Sequence, residues 1–80
     1  MSEIDSTTLA SAVDNALETY FKGLQGETPV ALYEMVMLEV EKTLIKNIMQ
    51  QSNGNQSQAT KMLGINRNTL RAKLLKFGML

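Results

Sequence analysis

The chain has 80 residues, enough for one small domain, and its eight acidic and eight basic residues cancel to a formal net charge of zero. It contains no cysteine and no histidine, which excludes disulfides and most zinc sites, and we expect neither a metal nor another cofactor. Because a core in so short a chain is only marginally stabilising, a second subunit is the expected source of further burial.

The charges are divided unevenly along the chain. Residues 1–41 hold all eight acids and one lysine, a balance of −7, whereas residues 42–80 hold seven basic residues and no acid, a balance of +7. This asymmetry predicts a polyanionic partner for the C-terminal end. No apolar run reaches the ~18 residues of a membrane span, so we expect a cytoplasmic protein with no membrane partner.

The first eight residues, MSEIDSTT, show no hydrophobic periodicity, so we expect a disordered tail over residues 1–8 and not a signal or transit peptide. A first helix should begin near Thr7 or Thr8, capped within the cluster 6–8, and end at Gly23. Its apolar residues recur at spacings of three and four and define one face: Leu9, Val13, Ala16, Leu17, Tyr20, Phe21 and Leu24.

A second, longer helix should run from about Pro29 to Gln51, since Thr28 and Pro29 combine a capping residue with a proline at the first helical position. Its apolar stripe is too wide for one short neighbouring helix to cover, so we expect the same helix of a second subunit to cover it. Residues 9–52 would then form the dimerisation part. The predicted dimer interface consists of Leu32, Val36, Val40, Leu44 and Ile48.

A short third helix, about Gln56 to Leu63, should follow the terminating pair Asn53-Gly54 and take Asn55 as its N-cap. The tripeptide Gly64-Ile65-Asn66 predicts a tight turn, because glycine permits a positive φ and asparagine can cap the next helix. A fourth helix should run from about Arg67 to Phe77.

Residues 53–80 therefore predict a helix-turn-helix, a module that places polar and basic side chains of its second helix in the major groove of DNA. Arginine can donate twice to guanine and asparagine can pair with adenine, so Asn66 and Arg67 are the candidate base readers. Ala59 is the small residue expected where the two helices touch. The candidate DNA backbone contacts are Asn55, Ser57, Thr69, Arg71, Lys73 and Lys76.

The stretch GNQSQATKMLGINRNTLRAKLLKFGM resembles the C-terminal helix-turn-helix of the Fis family (factor for inversion stimulation), a module that also closes the NtrC-type activators. The similarity continues upstream through LYEMVMLEVEKTLI and ALETYFKGL and so covers residues 9–80. It implies a single all-α domain with four helices per subunit, in which the long helices form the core of a homodimer and each subunit presents one helix-turn-helix.

The same resemblance implies a nucleoid-associated transcription regulator of the bacterial cytoplasm that binds double-stranded DNA with a degenerate sequence preference and bends it. RNA polymerase is a candidate partner. Asn66 and Arg67 match base-reading positions of the family, but Ala72 and Leu75 stand where well-known members have lysines, which predicts weaker binding. The N-terminal arm is too short for the hairpin with which some members stimulate recombinases, so we do not expect that activity.

Two other interpretations remain open. The basic residues of the fourth helix could form only a solvated face, and the chain would then be a dimeric protein-interaction module whose acidic first half docks a partner. An enzyme is the least favoured class, because without histidine or cysteine no nucleophile–base pair is evident, and we expect no small-molecule substrate.

Overall fold

The computed structural model describes residues 3–80 and contains, within that range, four α-helices and no strand. The helices are α1 (Ser6–Leu24), α2 (Leu32–Gln51), α3 (Gln56–Leu63) and α4 (Arg67–Lys76). The predicted all-α class is therefore confirmed. The chain divides into two compact units, an N-terminal unit that ends at Val30 and a C-terminal unit that spans Ala31–Leu80. In the described part of the chain, no helix is both long and apolar enough to span a membrane.

Helix α1 begins earlier than predicted because Asp5, and not a hydroxyl residue, provides its N-cap. Asp5 Oδ1 accepts hydrogen bonds from the backbone N–H groups of Thr7 at 2.9 Å and Thr8 at 3.2 Å. The bonds from Thr8 and Thr7 hold the pKa of Asp5 below its usual value, as expected for a carboxylate at the positive end of a helix. Residues 6–8 of the predicted tail thus form the first turn of α1, while Met1 and Ser2 lie outside the described residues.

Helix α1 has an apolar face but buries none of its residues fully. Leu9, near one end, and Phe21, near the other, are both exposed. The helix ends at Leu24, where Gln25 and Gly26 adopt left-handed conformations with φ of 52° and 87°. An amphipathic helix of this kind is stabilised mainly by packing of its apolar face, of which Val13, Leu17, Tyr20 and Leu24 are half-buried.

Helix α2 begins three residues later than predicted, at Leu32 and not at Pro29. Ala31 directly precedes it with a left-handed φ of 55°, and a right-handed helix that started at Pro29 could not pass through this conformation. Ala31 supplies no side-chain cap, so the expected start signal at Thr28 is not used. The other end agrees with the prediction, because α2 ends at Gln51.

The core of the C-terminal unit lies where α2, α3 and α4 meet. Its fully buried hydrophobic residues are Ile45, Ala59, Leu70 and Leu74. The half-buried hydrophobic residues packed against them are Ile48, Met49, Leu63, Ile65, Phe77 and Met79. Ala59, the residue predicted to lie at the contact between helices, has no exposed surface. This core fixes α4 against both α3 and the C-terminal half of α2.

Candidate nucleic-acid interface

The turn between α3 and α4 consists of Gly64, Ile65 and Asn66, as predicted. Gly64 ends α3 with a left-handed φ of 72°, which glycine adopts without a steric penalty from a Cβ atom. Its N–H donates to the carbonyl oxygen of Thr60 at 2.9 Å, and the half-buried Ile65 packs against the core. These contacts fix the direction in which α4 leaves α3.

Asn66 holds the N-terminus of α4 through its side chain. Its Oδ1 accepts a hydrogen bond from the backbone N–H of Thr69 at 2.8 Å. Two-point pairing with adenine would need Oδ1 as an acceptor and Nδ2 as a donor at the same time. Since the cap occupies one lone pair of Oδ1 and orients the amide, the geometry favours Asn66 as a donor through Nδ2, to a base acceptor or to a phosphate oxygen.

Asn55 plays the same part at the start of α3. Its Oδ1 accepts from the backbone N–H of Gln58 at 3.0 Å, which confirms the predicted N-cap. The side chains of Asn55 and Ser57 are exposed at this end of α3, where the helix dipole favours an anion. Both predicted backbone-contact residues therefore lie on the surface beside one helix N-terminus.

Arg67 and Arg71 occupy the first and second turns of α4 and are both exposed. Their four-residue spacing places them on the same side of the helix. Neither arginine pairs with a carboxylate in the part of the chain that the structure describes. Both guanidinium groups are therefore available for an external acceptor.

Lys73 and Lys76 differ from the two arginines because both approach one carboxylate, Glu41 of α2. Lys73 Nζ lies 2.6 Å from Glu41 Oε2, and Lys76 Nζ lies 3.6 Å from Glu41 Oε1. The Lys73 side chain is 28% exposed, Glu41 is 30% exposed and Lys76 is 52% exposed. The hydrogen bond from Lys73, with the charges of Lys73 and Lys76, holds the pKa of Glu41 below its usual value against the opposing effect of burial.

The outer side of α4 carries a shallow surface groove. Its lining residues are Asn68, Thr69, Ala72, Lys73 and Lys76. Thr69 is half-buried there, whereas Leu75, which stands where a lysine was expected, is 59% exposed. The groove and the two arginines thus present separate polar and basic surfaces of one helix.

The pairing of Glu41 with two lysines of α4 is not evident from the sequence, where Glu41 is one of the eight acids of the first half. Glu41 lies one helical turn before the buried Ile45, so both residues are on the side of α2 that meets α4. The sequence did mark Glu41 as the last acidic residue of the chain. It could not identify Ile45 as the buried residue, because the apolar stripe of α2 is wide enough to allow several faces.

The residues of the predicted dimer interface do not share one environment in the single chain. Val40 and Leu44 are exposed, and Leu32 and Val36 are half-buried. Ile48 is half-buried and packs against the core of the C-terminal unit. The exposed apolar residues at helical spacing on α2, which we call the α2 stripe, are Tyr33, Met37, Val40 and Leu44.

Helices α3 and α4, with their three-residue turn and shared core, form a helix-turn-helix supported by α2. A family model described as bacterial regulatory protein, Fis family, matches residues 37–77. A Fis-like DNA-binding protein of Neisseria meningitidis serogroup A is 49% identical over 72 residues, covering 90% of this chain and 91% of the relative. The chain belongs to the Fis family of bacterial regulatory proteins, which confirms the resemblance carried by its sequence.

Two further relatives have longer chains. The DNA-binding protein Fis of Actinobacillus succinogenes is 46% identical over 78 residues, covering 98% of this chain and 79% of the relative. The DNA-binding protein Fis of Proteus mirabilis is 46% identical over 77 residues, covering 96% of this chain and 79% of the relative. The similarity thus extends over both the N-terminal and the C-terminal unit.

Proposed function

We propose that the protein is a homodimeric DNA-binding regulator of transcription, associated with the nucleoid in the bacterial cytoplasm. The observation that carries the proposal is the capped start of α4, where the exposed Arg67 and Arg71 lie in a half of the chain that contains no acidic residue. The names of the relatives in Neisseria, Actinobacillus and Proteus support the DNA-binding part of the proposal.

In the proposed complex, Arg67 reads a base edge from the N-terminal end of α4, the end that enters the major groove in helix-turn-helix proteins. Its guanidinium can donate to both O6 and N7 of guanine. Asn66 supports this contact through Nδ2, because its Oδ1 is engaged in the helix cap. One strong reader per subunit fits a degenerate sequence preference, since few bases are then read directly.

The remaining polar residues are proposed to hold the DNA backbone. Arg71 lies beside Arg67, and Thr69, Lys73 and Lys76 line the groove on the outer side of α4. At the start of α3, the exposed side chains and the helix dipole suit a phosphate oxygen. These exposed side chains belong to Asn55 and Ser57.

The uncovered apolar surface supports pairing of two copies. The α2 stripe is exposed along about three turns of the helix, and α1 buries none of its apolar residues fully. We propose that residues 9–52 pair with their counterparts in a second subunit, while residues 53–80 form the helix-turn-helix of the same domain. We propose that the two readers are spaced more closely than one helical turn of DNA, so the duplex must bend to reach both, and shape readout would add to the preference.

The proposal is tested by fluorescence anisotropy with a labelled duplex of random sequence and with a preferred duplex found by footprinting. The wild-type protein should bind both, and more weakly as salt rises. Arg67→Ala should cost about 1–3 kcal/mol on the preferred duplex and less on the random one. Lys42→Ala, an exposed lysine of α2 outside the proposed contacts, is the control of equal charge change and should bind both duplexes almost as tightly as the wild type.

Binding that Arg67→Ala leaves unchanged on every duplex would contradict the assigned base reader. A wild-type protein that binds no duplex in dilute buffer would contradict DNA binding altogether and would favour the protein-interaction module. Sedimentation at micromolar concentration tests the homodimer separately. If a dimer binds DNA, footprinting with purified RNA polymerase on the same fragment tests that candidate partner.

A further inference from the structure

The carboxylate of Glu41 forms salt bridges with two of the four cationic side chains of α4. Each of its oxygens faces one lysine, Oε2 at 2.6 Å from Lys73 Nζ and Oε1 at 3.6 Å from Lys76 Nζ. No acidic residue follows Glu41 in the sequence, so α3 and α4 contribute no carboxylate of their own. The two arginines of α4 have no such partner in the described chain.

We propose that Glu41 limits DNA binding by holding Lys73 and Lys76 in the free protein, as an internal substitute for a DNA phosphate. The inference rests on the proposed function, since it assigns a regulator to the backbone contacts of that same surface. A carboxylate and a phosphate both present anionic oxygens to an ammonium group, so the two acceptors compete for the same lysines.

The geometry ranks the two lysines. Lys73 makes the short contact and is the less exposed, so its exchange from Glu41 to a phosphate requires breaking a charge-assisted hydrogen bond. Lys76 is more than half exposed and lies at the longer distance, so it exchanges more readily. Glu41 therefore weakens the contribution of Lys73 more than that of Lys76, and it leaves the reader Arg67 untouched.

Salt dependence distinguishes a held lysine from a free one. A lysine that neutralises a DNA phosphate releases a condensed counterion and adds about 0.9 to the slope of log affinity against log salt. A lysine that leaves Glu41 for a phosphate adds less, because the freed carboxylate attracts a cation from solution. Removing the carboxylate should therefore make binding tighter at low salt and more salt-dependent, equally for all duplex sequences.

The test compares Glu41→Gln with Glu39→Gln, which makes the same charge change on an exposed residue of the same helix. Anisotropy with a random duplex is measured from 50 to 200 mM salt. For each lysine released, the advantage of Glu41→Gln over the wild type should fall across this range by at most about 3.5-fold, the limit set by the slope of 0.9. Glu39→Gln should keep the wild-type slope.

A double-mutant cycle ties the effect to the lysines. In a chain that carries Lys73→Gln and Lys76→Gln, the further change Glu41→Gln should leave the salt slope where it is, because no held lysine remains to be released. A slope that steepens equally in this background would overturn the inference, since the effect would then come from the general field of the protein.

A measurement on the wild-type protein decides the case even if Glu41→Gln fails to fold. Adding duplex should move the NMR signal of the Glu41 carboxyl carbon toward its position in the Lys73→Gln, Lys76→Gln chain, because the lysines leave for phosphates. An unmoved signal would overturn the inference, as would unchanged or shallower salt dependence in a folded Glu41→Gln. A wild-type protein without duplex affinity would instead defeat the proposed function itself.

Discussion

The two units of the chain differ in how fully they bury their apolar residues. The C-terminal unit brings three helices together over a core of fully buried residues, including Leu70 with no exposed surface. The N-terminal unit consists of one long helix with a regular apolar face and no fully buried residue. The same periodicity of three and four residues thus produced a fully buried core in one case and an apolar face without a fully buried residue in the other. We infer that a second subunit, as in the proposed homodimer, supplies further stability to α1.

The largest expected difference between the units is in the cost of a core truncation. Leu70→Ala should reduce the free energy of unfolding by about 2–5 kcal/mol, because it leaves a cavity where α2, α3 and α4 meet. Leu75→Ala is the matched control, since it removes the same atoms from an exposed position of the same helix and should cost little. Urea unfolding measures both, and equal losses for the two variants would contradict the core described for the C-terminal unit.

The next effect concerns the α2 stripe and the unpaired face of α1. Leu44→Lys places a charge in the proposed dimer interface and should weaken self-association at least tenfold, about 1.4 kcal/mol, because a charge is costly to bury without a partner. Sedimentation measures the dimer, and hydrogen exchange should become faster in α1 but not at Ile45 in the core. Gln50→Lys, an exposed position of the same helix outside the stripe, should leave the dimer intact.

If Leu44→Lys is still a dimer, two copies do not pair through the α2 stripe. If it becomes a monomer while α1 keeps its slow exchange, α1 is stabilised within one chain, and the contrast between the two units would not reflect a missing partner. The two observations together therefore test the dimer and the reason given for it separately.

A smaller loss of stability is expected from changes to the helix cap formed by Asn66. Two substitutions there separate its role in folding from its proposed contact with DNA. Asn66→Ala removes the bond to the N–H of Thr69 and should cost about 1 kcal/mol of stability in urea unfolding. Asn66→Ser retains a capping oxygen and should keep most of that stability, but it has no amide donor. Weaker DNA binding by the serine variant at wild-type stability would support the contact through Nδ2, whereas wild-type binding would contradict it.

Local sequence signals predicted the helix ends and the turn of the C-terminal unit better than the packing of its helices against one another. Asn55, Gly64 and Asn66 act on their own helix ends, so the limits of α3 and the turn could be predicted from neighbouring residues alone. The left-handed Ala31 has no such signal, and the stronger pattern at Pro29 led to a start that is three residues too early.

Contacts between helices could not be predicted from the sequence patterns, for a different reason. Glu41 and Lys73 are 32 positions apart, and they meet only because the core sets α4 against one particular side of α2. The apolar residues of α2 are spread too widely around the helix to determine that side, and the contact of Ile48 with the core could not be predicted from them. The candidate DNA contacts could be predicted from the sequence, but the residues that pair with them inside the protein could not.

The smallest predicted effect uses acid to compare the two units, since each contains one carboxylate with a lowered pKa. Asp5 is held by the N–H groups at the start of α1, and Glu41 by the lysines of α4. A group whose folded pKa lies below its ordinary value stabilises the fold above that value, and the contribution is lost as the pH falls through the folded pKa. The losses should therefore begin below about pH 4.5 for Glu41 and below about pH 3.8 for Asp5. Asp5→Asn should remove acid sensitivity of hydrogen exchange in α1 only, and Glu41→Gln should remove part of it in α2 and α4 only. An altered acid response in α4 for Asp5→Asn, or in α1 for Glu41→Gln, would contradict a local action of the two carboxylates.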